Sequence, residues 1–153
     1  MIEIRVPAST SNLGSGFDSI GVALKLYFKM RVQKLPPDAP AHKIEVTGED
    51  ADLIPTDETN MAVRALMLAG QRESVDVPKL HLMIENQIPV ARGLGGSGAA
   101  IVAGLTAFEA ITGRTLGEEK VLHYAYELEG HADNVTPSVM GSLVLTCLTE
   151  EGK

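Results

Sequence analysis

The run from Ile88 to Gly104, Ile-Pro-Val-Ala-Arg-Gly-Leu-Gly-Gly-Ser-Gly-Ala-Ala-Ile-Val-Ala-Gly, leaves the chain few options. Gly93, Gly95, Gly96 and Gly98 let the backbone turn sharply and approach a ligand, because no Cβ stands in the way. From Ser97 to Ile111 the residues are small and apolar. Ala99, Ala100, Ala103, Gly104 and Ala107 suit a helix packed closely on a sheet, with Gly113 as its C-terminal cap. A helix that opens from a glycine loop presents unpaired N–H groups and a positive dipole end, the natural seat of a phosphate. The expected unit is therefore a strand, a nucleotide-phosphate loop and a helix.

Two familiar loops are excluded. Gly93-x-Gly95-x-x-Gly98 has the form of the dinucleotide fingerprint. That site needs an acidic residue ending a second strand about twenty residues on, and here the region is a turn and a helix start, Gly113 to Lys120. A Walker A loop needs Gly-Lys-Ser/Thr after the glycines, and it is absent. The loop alone says phosphate, against the plainer alternative of a tight turn before an Ala-rich core helix.

The remaining chain reads as strands and helices around this unit. Ile2, Ile4 and Val6 alternate with Glu3 and Arg5, a half-buried strand that Pro7 is expected to end. A polar loop follows from Ala8 to Asp18. Alternation resumes over Leu24 to Gln33, with Leu26, Phe28, Met30 and Val32 on one face. A proline-rich connection then leads to a short strand, His42 to Thr47, and an acidic loop, Gly48 to Asp57. Met61, Val63, Leu66, Met67 and Ala69 keep helical spacing, with Gly70 expected to close the helix. Leu80, Leu82 and Ile84 form the strand that delivers the chain to the loop. Thr115-Leu-Gly-Glu118 has the form of a capping box opening a helix to Glu129. A polar loop, Gly130 to Asn134, precedes a short helix around Thr136-Pro137 and a last strand, Leu143 to Leu145. Strands first and last with helices interspersed make this an α+β domain.

Charge narrows the partners. A net charge of −7 over 153 residues argues against a general nucleic-acid or anionic-membrane binder. It would also repel a nucleotide, so the site needs N–H donors and a metal. The lone Cys147 rules out an internal disulfide framework and reads as a small core residue near a strand end. The N-terminus lacks the pattern of a signal peptide, and no apolar run approaches the ~18 residues needed to span a bilayer. A cytoplasmic protein is expected.

Taken with its neighbours, the loop acquires a family likeness. Pro89-x-x-x-Gly93-Leu94-Gly95-Gly96-Ser97-Gly98-Ala99-Ala100 resembles the central signature of the galactokinase, homoserine kinase, mevalonate kinase and phosphomevalonate kinase superfamily, the GHMP kinases. The block from Val6-Pro7-Ala8-Ser9-Thr10-Ser11-Asn12 to Gly21 resembles the N-terminal signature of its homoserine kinase branch. Asp57-Glu58-Thr59-Asn60 and Glu129-Gly130-His131-Ala132-Asp133-Asn134-Val135-Thr136-Pro137 resemble two further blocks of that branch. The four occur in the right order and span nearly the whole chain.

The resemblance implies ATP-dependent phosphorylation of the L-homoserine hydroxyl in threonine synthesis, with Mg²⁺. It also implies a ribosomal protein S5 domain 2-like fold, a mixed sheet packed against helices. It gives Pro89, Val90, Ala91, Arg92, Gly93, Leu94, Gly95, Gly96, Ser97, Gly98 and Ala99 to ATP binding, with Gly93 to Ala100 wrapping the phosphates and Asn60 at a helix start beside the adenine pocket. Ser97 and Glu129 match the metal-holding hydroxyl and carboxylate, a set that suits a Mg²⁺ keeping waters. Asn12, Asp18 and Asn134 match residues that engage the amino-acid substrate, Asn134 close to the reacting hydroxyl. Asp133 is a candidate base, weighed against bracing the loop. His131 with Asp133 would make a transition-metal pair only with a third ligand.

The chain also departs from the family. Gly96-Ser97 stands where two serines are usual, and His131-Ala132-Asp133 replaces His-Pro-Asp. The C-terminal GHMP domain, with its further glycine motif and arginines, is not represented. The expectation is an N-terminal ATP-binding domain, residues 1–153, inactive or very weak alone, with a homodimer as one way of covering the face left open. Two other readings stand beside it: another kinase of the superfamily, such as a mevalonate-type enzyme, and a non-catalytic nucleotide-binding or interaction module.

Overall fold

A computed structural model of the chain describes residues 1–14, 19–131 and 133–145. The elements in order are β1 (Ile2–Thr10), β2 (Ile20–Lys34), β3 (Lys43–Gly48), α1 (Met61–Arg72), β4 (Leu80–Asn86), α2 (Gly96–Thr112), α3 (Gly117–Glu129), α4 (Val135–Met140) and β5 (Leu143–Leu145). The strands make one mixed sheet in the order β1-β2-β4-β3, with β5 pairing the start of β2. Among the described residues only β3 and β4 pair in parallel, and α1 supplies the crossover that a parallel pair requires. The α+β class and the packing of helices on a mixed sheet are as expected.

Register explains the core. Ile4 lies opposite Met30, Met30 opposite Ile84, and Ile84 opposite Val46, so one row crosses four strands. Because side chains alternate along a strand, this register turns Ile4, Val6, Phe28, Met30, Val32, Leu82 and Ile84 to one face, where all are buried. The helices cover that face with Val63, Leu66, Ile101, Leu105 and Phe108. The opposite face is polar: Lys29 pairs with Glu85 at 2.7 Å, and the Arg5 guanidinium lies 3.5 Å from the Tyr27 ring centroid.

Four boundaries differ from the sequence reading, each for a tertiary reason. Pro7 does not end β1, which runs on to Thr10. β1 is an edge strand and its register shifts between Pro7 and Ala8, so the missing N–H is tolerated. β2 starts at Ile20, where β5 supplies pairing. Gly70 does not close α1, which continues to Arg72. A Cβ at Gly70 would lie 2.7 Å from Val77 Cγ2, so this glycine admits the returning chain. Thr115 does not cap α3; Leu116 occupies that place with no side-chain cap, and its N–H donates instead to Glu109 Oε1 at 2.6 Å.

Gly104 sets the close approach of α2 to α1. A Cβ there would run into the Ala62 carbonyl oxygen and sit 2.9 Å from the carbonyl carbon. Backbone cannot yield as a side chain can. Gly104→Ala is therefore expected to cost roughly 1–3 kcal/mol by overpacking and to lower the melting temperature by about 3–10 °C, read by thermal denaturation.

Candidate functional site

β4 hands the chain to the glycine loop through one buried amide. Asn86 Nδ2 donates to the carbonyls of Glu49 and Ile88, both at 2.8 Å. Its Oδ1 accepts from the Ile88 N–H at 3.2 Å. Farther along, the Val90 N–H donates to Asp50 Oδ2 at 2.9 Å. The loop then turns through three left-handed residues, Ala91 (φ 57°), Gly93 (φ 69°) and Gly95 (φ 64°).

Gly95 is the N-cap of α2 and, having no side chain, makes no cap bond of its own. Its first bond runs from the Ala99 N–H to the Gly95 carbonyl, 2.9 Å. The N–H groups of Gly96, Ser97 and Gly98 therefore have no partner within the helix. Such an end holds an anion well.

Segments far apart in sequence meet here. The Ser9 N–H donates to the Leu94 carbonyl at 3.1 Å, and the Ser9 hydroxyl donates to the Asn134 carbonyl at 2.7 Å. Asn134 Nδ2 donates to Ser11 Oγ at 3.3 Å and to Asp133 Oδ2 at 3.1 Å. The Asn12 amide nitrogen fills the space a Cβ on Gly93 would take. Thus Asn12, the loop and Asn134 are brought together. Asp18 lies outside the described residues, as does Cys147.

Asp133 is buried, and both of its oxygens are engaged, Oδ1 with His131 Nδ1 at 2.8 Å and Oδ2 with Asn134. That geometry braces the loop. No cluster of three His, Cys, Asp or Glu side chains suited to a metal occurs among the described residues.

Glu129 ends α3 beside the loop. Its Oε2 is buried without a hydrogen-bond partner among the described residues, and it would lie 3.3 Å from a Cβ on Gly98. Burial raises its pKa above the ordinary carboxylate value; His131 and a hydrogen bond from Ser97 oppose this, and the charge of Asp133 reinforces it. An unpartnered carboxylate oxygen next to a hydroxyl fits a hard divalent cation that takes its other ligands from water and phosphate.

A cavity of about 350 Å³ runs along the loop from Pro89 to Ser97 and includes Glu129 and Asn134. Phe28, Leu53, Ile54, Pro55 and Met61 give it an apolar wall, large enough in kind for a heterocyclic base. Asn60 lines it too, as the N-cap of α1: its Oδ1 accepts from the Ala62 N–H at 3.0 Å and its Nδ2 donates to the Pro55 carbonyl at 2.7 Å. Gly98 and Ala99 are buried behind the loop. The sequence reading missed Ser9 and Ser11 as bracing hydroxyls, although both stand in the N-terminal block. It also missed Asp50, Asn86 and the apolar wall. A polar Asn at the end of an apolar strand was the available signal for Asn86.

Comparison with known proteins places the fold. Residues 60–142, more than half of the chain, match the model of the GHMP kinases N terminal domain. A homoserine kinase from Clavibacter michiganensis is 41% identical, with 99% of this chain and 48% of that protein covered. One from Natranaerobius thermophilus is 40% identical, over 100% of this chain and 50% of that protein. A solved structure of a candidate homoserine kinase from Listeria monocytogenes superposes with a TM-score of 0.83 at 38% identity, covering 99% of this chain and 51% of that one. The chain spans about half the length of the curated relatives it matches. Among the described residues no helix is long and apolar enough to cross a membrane.

Proposed function

The chain belongs to the GHMP kinases as a homoserine kinase-like N-terminal domain, and from that premise we propose that it is the ATP-binding half of an enzyme that phosphorylates the hydroxyl of L-homoserine. The observation that carries the nucleotide half is the uncapped α2 N-terminus opening on a cavity with one apolar wall and one unpartnered carboxylate oxygen. Support for the acceptor comes from the identity to homoserine kinases along the whole chain.

In this reading the N–H groups of Gly96, Ser97 and Gly98 hold the phosphates, and the wall formed by Leu53, Ile54, Pro55 and Met61 holds the base. Ser97 and Glu129 would hold Mg²⁺, which when bound neutralises charge on the phosphates. Phosphoryl transfer through a loose transition state depends on alignment and charge stabilisation more than on a strong base. Asn12 and Asn134, joined to the loop through Ser9 and Ser11, orient the acceptor hydroxyl, with Asp18 as the partner of the substrate ammonium. Asp133 braces Asn134 and takes no proton.

The test is a coupled ADP-release assay on the protein that carries this chain together with a C-terminal half, offered homoserine, mevalonate and galactose. Homoserine is expected to be preferred; preference for either other alcohol overturns the acceptor assignment. Residues 1–153 alone are expected to bind Mg·ATP in a calorimetric titration but to turn over little. Robust turnover by this chain would show that the acceptor site needs nothing more.

A further inference from the structure

We infer that Asp50 is a positioning residue for the nucleotide cleft: it holds the glycine loop against the segment carrying Leu53, Ile54 and Pro55, and so sets ATP affinity without touching ATP. The identity of the ligand rests on the function proposed above; the tie itself does not.

β3 and β4 run parallel and end level, Gly48 opposite Asn86. From that point the chain leaves twice, once as the segment leading to Pro55 and once as the glycine loop. Near the strands the two are joined by the Glu49 N–H donating to the Asn86 carbonyl at 2.8 Å and by the Asn86 amide. One step outward, Asp50 Oδ2 accepts from the Val90 N–H at 2.9 Å. Among the described residues this is the outermost hydrogen bond between the segments. Val90 and the Leu53–Pro55 wall line the same cavity, and Asp50 does not.

Asp50 holds this place in a left-handed conformation, φ 49° and ψ 32°, which L-residues other than Asn and Asp rarely visit. The carboxylate also carries a negative charge toward a site meant for a polyanion. Acting through charge alone, it would weaken ATP binding, and its removal would tighten it. Acting as a tie, its removal lets the wall and the loop separate, and binding weakens. The two roles differ in sign.

The experiment compares the unaltered protein with Asp50→Ala, Asp50→Gly and Asp50→Asn by Mg·ATP titration, amide hydrogen exchange and thermal melting. Asp50→Gly suits the left-handed backbone, so it loses the acceptor without adding strain. Asp50→Asn keeps an oxygen for the Val90 N–H and loses the charge. The Ala and Gly variants are expected to bind ATP about tenfold more weakly and to exchange the Val90–Gly95 amides faster. The Asn variant is expected to stay within about twofold of the unaltered protein. Unchanged or tighter ATP binding in the Gly variant, or equal loss in Gly and Asn, overturns the inference. If the unaltered protein binds no ATP, the functional reading fails, and the exchange of Val90 alone decides whether Asp50 holds the loop.

Discussion

Glu129→Gln is expected to reduce homoserine-dependent ADP release by on the order of 10²–10³, the usual loss when one preorganised charge-stabilising group is removed. The same change is expected to raise the melting temperature of the ligand-free protein. Glutamine keeps the shape and loses the charge, and it is the charge that burial penalises: Oε2 has no partner among the described residues, and burial raises the Glu129 pKa. A carboxyl whose folded pKa is raised binds more protons folded than unfolded. Its contribution is therefore fully present below the ordinary carboxylate value and is lost as pH rises through the raised folded value. At pH 7–8 the unaltered protein carries that loss and the variant does not, so the variant melts higher, and the gain shrinks toward acid pH. Mg·ATP should stabilise the unaltered protein and much less the variant. Unchanged turnover at saturating Mg²⁺ would remove Glu129 from the metal site, and a lower melting temperature without ligand would show that its buried charge costs no stability.

Much of this was legible because the signals were local. Alternation in Ile2–Val6 and Leu26–Val32 reports a sheet with one buried face, and the small residues from Ala99 to Ala107 report a helix that must sit close to its neighbour. Gly104 refines that point: the small-residue pattern is expected to serve packing on a sheet, and Gly104 instead admits the Ala62 backbone of α1. The glycine loop was readable for the same reason, since its turn conformations are written in its own residues.

The rest depends on partners distant in sequence. Pro7 reads as a strand breaker unless β1 is known to be an edge. Gly70 reads as a helix end unless Val77 is known to fold back onto it. Asp50 carries nothing in its own neighbourhood that points to the loop, and Asn86 only its place at the end of an apolar strand; both act through a parallel register that the completed sheet creates. Ser9 is intermediate. It stood in a recognised block, yet its hydroxyl bonds to Asn134, 125 residues away in sequence.

Gly95→Ala is expected to lower ATP affinity and homoserine-dependent turnover together, turnover by roughly 10²-fold or more, since small misplacements at a reacting centre have effects of that size. Two costs meet at this position. The backbone is left-handed, φ 64°, which disfavours any residue with a Cβ by about 1–2 kcal/mol. The Cβ itself would collide with Ser9 Oγ and lie 3.0 Å from the Ser9 carbonyl oxygen. Ser9 cannot simply rotate away without giving up its hydroxyl bond to the Asn134 carbonyl. Relief must come from moving the loop off β1 or Asn134 off Ser9, and either motion separates the phosphate seat from the acceptor side. A second change tests this contact. Ser9→Gly removes the Oγ but not the backbone strain, so the Ser9→Gly, Gly95→Ala double variant should recover part of the lost ATP affinity. It should recover less of the turnover, because the double variant also lacks the Ser9 hydroxyl bond to the Asn134 carbonyl. A non-additive recovery in ATP affinity is the signature of direct contact. Strict additivity would mean that Gly95→Ala acts through backbone strain alone, and that Ser9 does not hold the phosphate loop in register with Asn134.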